Sequence, residues 1–361
     1  MDSVAQFTDE DWARAERDWS AWWAGELDRP LVWIEGRVPP ADGPLPEAPS
    51  FAPNLPMDMP AEEVVARYAA HLACRRFHGD AVPKWWPNWG PGVGASFLGA
   101  PLRTAPDTVW FEPTHSGPIR DLTLRYDPDA QWWRRLQDVT RAAVDLWGSR
   151  ACVCHTDIGG NLDILASLRT TEQLLFDVVD EPDEVARCAA QLTSLWLRYY
   201  DELAALIVPA GRGTSAWASL WSPGRHYILQ CDFAYMISPQ MFERFVMPDL
   251  EACCAALDHG LYHLDGTGQI AHLDQLLALD RLRGIQWVPG SGQPVEEHWL
   301  PLLRRIRDGG KLCYLGVTTA GARAIVQALG GKGFMLRIRE EMNAEDSTDF
   351  LRVLAEDERR R

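Results

Sequence analysis

Apolar and polar positions alternate in two different registers along the chain. Short runs rich in β-branched and aromatic residues recur at 31–35, 81–85, 151–156, 215–221, 261–265, 284–288, 312–317 and 334–338. Between several of them, apolar positions return every three to four residues over longer stretches. The first pattern is that of a buried strand, the second that of an amphipathic helix. Helices are expected over 61–77, where Val64, Val65, Tyr68, Ala69 and Leu72 form one stripe, and over 128–147, 181–207, 272–279 and 301–308. Ser238 suits an N-cap with Pro239 at the first helical position, and Gly309-Gly310 ends the 301–308 helix. Residues 2–25 read as a further amphipathic helix carrying Trp12, Trp19, Trp22 and Trp23. Eight strands alternating with helices predict an α/β chain folded as a single (β/α)8 TIM barrel over residues 30–361, with residues 1–29 as a helical extension packed on it. Two Pro- and Gly-rich stretches, 37–60 and 87–126, interrupt the rhythm; the first reads as a loop and the second has room for a hairpin.

Composition narrows the function classes. The chain has 361 residues, with 35 Lys and Arg against 51 Asp and Glu, a net charge of −16. That balance argues against nucleic acid or an anionic membrane surface as a partner. No apolar run is long enough to span a bilayer, and the polar, acidic N-terminus is neither a secretory nor a transit signal, so a cytoplasmic protein is expected. Eight cysteines are then expected to stay reduced and to act mainly as small core residues. Neither a dinucleotide-binding G-x-G-x-x-G after the first strand nor a P-loop is present.

In a barrel, chemistry gathers at the C-terminal ends of the strands. His155 with Asp157 and His263 with Asp265 stand there, each pair two residues apart and therefore on the same side of an extended segment. Imidazoles and carboxylates so placed either hold a divalent metal or work as acid–base pairs, each carboxylate orienting its ring. Gly266 leaves backbone room beside the second pair. The 17 tryptophans add an aromatic wall, with Trp33, Trp85, Trp86, Trp89, Trp217, Trp221 and Trp287 at strand ends. Such a pocket suits a flat ring or a cation held over indole faces. Arg37, Arg225, Arg337 and Arg339 are available to clamp a carboxylate.

Four segments carry a family likeness: Cys231 to Pro248 (CDFAYMISPQMFERFVMP), Tyr262 to Gly266 (YHLDG), Gly284 to Gly290 (GIQWVPG), and Asp163 to Leu168 (DILASL) with Asp177 and Glu181 to Asp183 after it. Together they resemble the uroporphyrinogen decarboxylase superfamily, which includes zinc-dependent methyltransferases that move methyl groups between corrinoid proteins and thiols such as coenzyme M. The likeness runs from about Pro30 to Leu354 and implies the same (β/α)8 fold. The departures limit what it implies about activity. The decarboxylases' arginine loop after the first strand keeps at most Arg37 here; their aspartate falls near Asn88, which cannot ionise, and their tyrosine near Ala166 or Ser167. The methyltransferases' H-x-C becomes His263-x-Asp265, and their later cysteine gives way to Arg339, Glu340 and Glu341. Exchanging thiolates for carboxylates moves the preference from zinc towards a harder ion.

The resulting expectation is an enzyme that transfers a methyl or one-carbon group between small molecules, assisted by a divalent metal (zinc or a harder ion). His263, Asp265 and Glu340 are the expected metal ligands, and His155, Asp157, His263 and Asp265 the expected catalytic groups. Trp33, Arg37, Trp86, Asn88, Trp89, Trp217, Trp221, Trp287 and Arg337 are expected to bind substrate, and a corrinoid protein is a partner the resemblance allows. The rival enzyme reading is a metal-free carboxy-lyase; a rival of another class is a non-catalytic binder of a tetrapyrrole or aromatic ligand.

Overall fold

The structure, a computed structural model, describes residues 7–40 and 43–360. In chain order its strands are β1 (Leu31–Arg37), β2 (Arg75–Gly79), β3 (Lys84–Trp85), β4 (Leu102–Thr104), β5 (Val109–Phe111), β6 (Cys152–Val153), β7 (His226–Leu229), β8 (His259–Asp265), β9 (Leu282–Val288), β10 (Leu312–Val317) and β11 (Phe334–Ile338). Its helices are α1 (Asp9–Trp23), α2 (Ala61–Ala73), α3 (Gly94–Phe97), α4 (Gln131–Trp147), α5 (Asn161–Arg169), α6 (Thr171–Asp180), α7 (Pro182–Ile207), α8 (Pro239–Phe245), α9 (Met247–Ala256), α10 (Leu273–Ala278), α11 (Leu300–Asp308), α12 (Thr319–Leu329) and α13 (Ala344–Arg359). Seven strands form one mixed sheet in the order β2-β1-β11-β10-β9-β8-β7, in which only β1 and β2 run antiparallel. β3 and β6 form a separate parallel pair, and β4 and β5 a small hairpin within the 87–126 stretch.

This corrects the expected closed ring of eight parallel strands. The chain turns back straight after α2, so β2 covers the free edge of β1. The expected second strand shrinks to two residues, since Pro83 has no N–H to give a ladder. The expected fourth strand, 215–221, is no strand at all. It is an irregular buried loop closed by one antiparallel bridge between Thr214 and Ser222. Its carbonyls are claimed by the Lys84 ammonium, which donates to Ala216 O at 2.9 Å, to Ala218 O and to Ser215 Oγ at 2.9 Å. A lysine that satisfies backbone acceptors removes the need for a neighbouring strand. Lys84→Met is accordingly expected to cost about 3 kcal/mol in urea unfolding, from buried carbonyls left without donors; an unchanged midpoint would contradict this role.

α1 begins at a capping box between Thr8 and Asp11, and the residues before Phe7 in the expected 2–25 helix lie outside the described ones. It docks by its indoles. Trp19 Nε1 donates to Asp80 O and Trp23 Nε1 to Trp221 O, both at 3.0 Å, and the Trp23 ring stacks on His259 at 4.6 Å. The Ser238 cap and the Pro239 start appear as expected, with Ser238 Oγ accepting from Met241 N. Among the described residues no helix is long and apolar enough to cross a membrane.

Parallel pairing keeps paired residues on one face of the sheet, and the registers therefore show which side chains share it. Trp33 pairs with Arg337, Arg337 with Gly316, Tyr314 with Gln286, Gln286 with His263 and Val288 with Asp265. Because side chains alternate along a strand, one face carries Trp33, Glu35, Arg337, Tyr314, Gln286, His263 and Asp265. The opposite face carries apolar residues such as Ile285, Trp287, Leu315 and Leu336, all fully buried.

Candidate functional site

The polar face ends, at the C-terminal tips of β7 and β8, in one concentration of ionisable groups. His263 and Asp265 come from β8, and Asp232 from the short 3-10 turn Asp232–Met236 that follows β7. One ligand atom from each of Asp232, His263 and Asp265 lies within 4.8 Å of the others, and no second such trio occurs among the described residues. This replaces the expected ligand set: Asp232 takes the place assigned to Glu340. The Glu340 carboxylate is occupied elsewhere, accepting from the N–H and hydroxyl of Thr319 in the first turn of α12 at 3.0 and 3.1 Å.

Two members of the trio, His263 and Asp232, are positioned by polar neighbours. His263 Nδ1 lies 2.6 Å from Gln286 Oε1. An amide oxygen can only accept, so Nδ1 carries a proton and Nε2 is the atom that faces Asp265 Oδ2, 3.7 Å away. The edge of the Trp217 indole meets the His263 ring at 5.0 Å and 88°. Burial pulls the His263 pKa down, but the nearby carboxylates of Asp265 and Asp232 and the Gln286 contact together raise it. Asp163, in the first turn of α5, accepts from the backbone N–H groups of Asp232 at 3.0 Å and Phe233 at 2.8 Å, fixing the turn that presents Asp232. Asp157 Oδ1 accepts from Gly159 N at 3.0 Å and from Gln230 Nε2 at 3.2 Å. Burial first, and the charge of Asp232 second, push both Asp157 and Asp163 up to about 7. Asp157 is therefore a buried carboxyl, held by Gly159 and Gln230 and sensitive to the charge of Asp232, with a pKa near neutrality.

Gly266 adopts φ +79°, a region that side-chain-bearing residues avoid. The room beside it is filled by Tyr235, whose ring a Cβ on Gly266 would meet at 2.9 Å. The expected space for a ligand at this point is thus a tyrosine packed on the loop.

The remaining expected residues scatter. His155 is fully buried, its ring stacked on Tyr200 at 4.3 Å with neither nitrogen hydrogen-bonded, so it cannot meet a substrate. Burial, with Arg225 and His226 nearby, drives its pKa down to about 3. Trp33 is fully buried within the polar face, its Nε1 donating to Glu35 Oε1 at 2.8 Å. Trp89 packs edge-on against Trp132, Trp287 lies on the opposite face against Trp299, and Trp221 sits with Trp12 and Trp19 where α1 docks. None of these forms a pocket wall at the trio, because an indole of that size is first used to fill the core. Trp86 is half-buried with its Nε1 unpartnered. Asn88 latches a loop, donating to Ser50 O at 2.7 Å and accepting from Gly90 N. Arg37 pairs with Glu341 at 2.6 Å. Of the expected substrate residues only Trp217 touches the trio, and the Arg337 side chain, exposed on the same face, makes no hydrogen bond or ion pair among the described residues.

Asp232, Asp163, Gln230 and Gln286 were not among the expected site residues. The signal was present for three of them: Asp232 is the second residue of the Cys231–Pro248 run, Asp163 opens the Asp163–Leu168 run, and Gln286 sits in the Gly284–Gly290 run. Comparison with known proteins assigns nothing further: no protein-family model and no curated protein matches this sequence.

Proposed function

We propose that this chain is an enzyme that transfers a methyl group between small molecules at the Asp232–His263–Asp265 trio, with a divalent metal ion held there. The observation that carries the reading is the convergence of two carboxylates and one imidazole from two segments distant in the chain, with Gln286 positioning His263 and Asp163 the Asp232 turn. Three donors with oxygen in the majority and no thiolate fit a harder or borderline ion such as Mn²⁺, Fe²⁺ or Zn²⁺ with open positions, and do not fit a thiolate-rich zinc site. When bound, the ion would supply Lewis acidity to the acceptor or leaving group. Gln286 would keep Nε2 of His263 available, and Asp163 would keep Asp232 in place. Asp157 would hold a proton at its carboxyl near neutral pH. Methyl transfer as the reaction, and a corrinoid protein as partner, rest on the resemblance to the uroporphyrinogen decarboxylase superfamily. The described cysteines are all unpaired, which suits a reducing cytoplasm.

A second reading, a carboxy-lyase needing no metal, is favoured by one observation. Arg337 stands unpaired on the sheet face that bears His263, where it would anchor a substrate carboxylate. The experiment that separates the two combines metal analysis with turnover. The protein is purified without chelator, assayed for bound metal, then given methylcobalamin and a thiol. Metal at about one equivalent and metal-dependent loss of the methylcorrinoid absorbance are expected. No bound metal, no uptake of Mn²⁺ or Zn²⁺ and no demethylation would refute the proposal.

A further inference from the structure

Beside the trio, between the β4–β5 hairpin, the α5–α6 corner and the turn after β7, lies a cavity of about 490 Å³. Its sides include Trp110 and Phe111 from the hairpin and Phe233 from the turn, and Asp163, Asp232 and Gln230 line it where it adjoins the trio. Two of its lining residues are carboxylates, and none is Lys, Arg or His. Asp163, which lines the cavity, is held in position by the two backbone N–H groups it accepts. The Asp232 carboxylate makes no hydrogen bond among the described residues. At the rim Trp110 is 63% exposed, a large indole left in water on a short hairpin. An aromatic face at the mouth and two carboxyl groups further in are the two features that recognise an organic cation, whose charge is drawn to both. An anionic substrate would meet only like charge here, and a neutral one would leave the carboxylates unanswered.

We infer that this cavity receives the alkylated ammonium group of a small organic cation, held against Trp110 and Phe111 and facing Asp163 and Asp232. The inference rests on the trio being the reacting centre, because Asp232 belongs to both. It assigns the substrate class as a methylated amine, which would bring an N-methyl group next to the proposed metal position.

The test is calorimetric titration of the chelator-treated full chain with three probes of one shape: choline, its uncharged carbon isostere 3,3-dimethylbutan-1-ol, and 3,3-dimethylbutanoate. Choline is expected to bind about tenfold or more tightly than the alcohol, with no binding of the butanoate. Trp110→Ala is expected to weaken choline about tenfold while leaving Mn²⁺ affinity unchanged. The inference is overturned if choline fails to bind, if the alcohol or the butanoate binds as well, or if Trp110→Ala leaves choline affinity intact. Mn²⁺ uptake without choline binding would remove this inference alone. Choline binding without uptake of any metal would remove the metal reading and leave the cation cavity standing.

Discussion

Asp232→Asn is expected to lower Mn²⁺ affinity by about 100-fold or more, because it replaces one of three donors by a neutral amide. His263→Ala should do the same. Gln286→Leu should lower affinity by about tenfold: the Gln286 oxygen touches no metal position, but it fixes which nitrogen of His263 keeps its lone pair. Glu340→Gln is the control that separates this structure from the sequence expectation. Its carboxylate is bound to Thr319, so Mn²⁺ affinity should stay as in the wild type. Calorimetry or the electron paramagnetic resonance signal of free Mn²⁺ reads all four. Equal losses in Glu340→Gln and Asp232→Asn would return Glu340 to the site, and full affinity in Asp232→Asn would dissolve the trio.

The second large effect is on stability against pH. His155 and His226 are both fully buried and both have pKa values driven down to about 3, against 6.5 when unfolded. The native state refuses protons that the unfolded chain accepts. Each ring therefore contributes its full share of stability above pH 6.5 and loses it as the pH falls from 6.5 towards 3. Down to pH 5 that is about 2 kcal/mol per ring, at about 1.4 kcal/mol per pH unit. The raised carboxyls act in the opposite sense: Asp157 and Asp163 near 7 and Asp249 near 6 make the native state bind protons first, so stability grows as pH falls from there towards 3.8. Wild-type stability is thus a difference of opposed slopes, and a variant is needed to isolate one. His155→Phe keeps a flat ring on Tyr200 and removes two nitrogens that have no partner. Relative to the wild type it should gain about 2 kcal/mol in urea unfolding between pH 7 and pH 5. Equal midpoint shifts in the two proteins over that range would show that His155 does not titrate as its burial requires.

That same histidine shows where the sequence reading succeeds and where it stops. His155-x-Asp157 and His263-x-Asp265 are indistinguishable as patterns, yet one imidazole is sealed between tyrosines and the other reaches the polar face. The difference lies in what packs against each strand end. Tyr200, from the long helix α7, covers His155, whereas β8 ends beside Gln286 with His263 and Asp265 only partly buried. No local spacing encodes a neighbour 45 positions away. The tryptophans show the same limit from the other side. Their number announces a large aromatic core, but which faces they fill depends on the order of the strands.

The alternation of apolar positions by itself determined that β1, β8, β9, β10 and β11 are strands and where most helices run, because a strand or helix that must bury one face shows its own period. It likewise determined that His263 and Asp265 stand on one side of their strand, whereas the β8–β9 register places Gln286 beside them. The tertiary structure alone decided that β2 covers the edge of β1, that 215–221 hands its carbonyls to Lys84, and that Asp232 rather than Glu340 completes the trio. Those outcomes turn on pairing and hydrogen bonding between segments distant in the chain, where several partners satisfy the same local pattern and only the assembled geometry selects one.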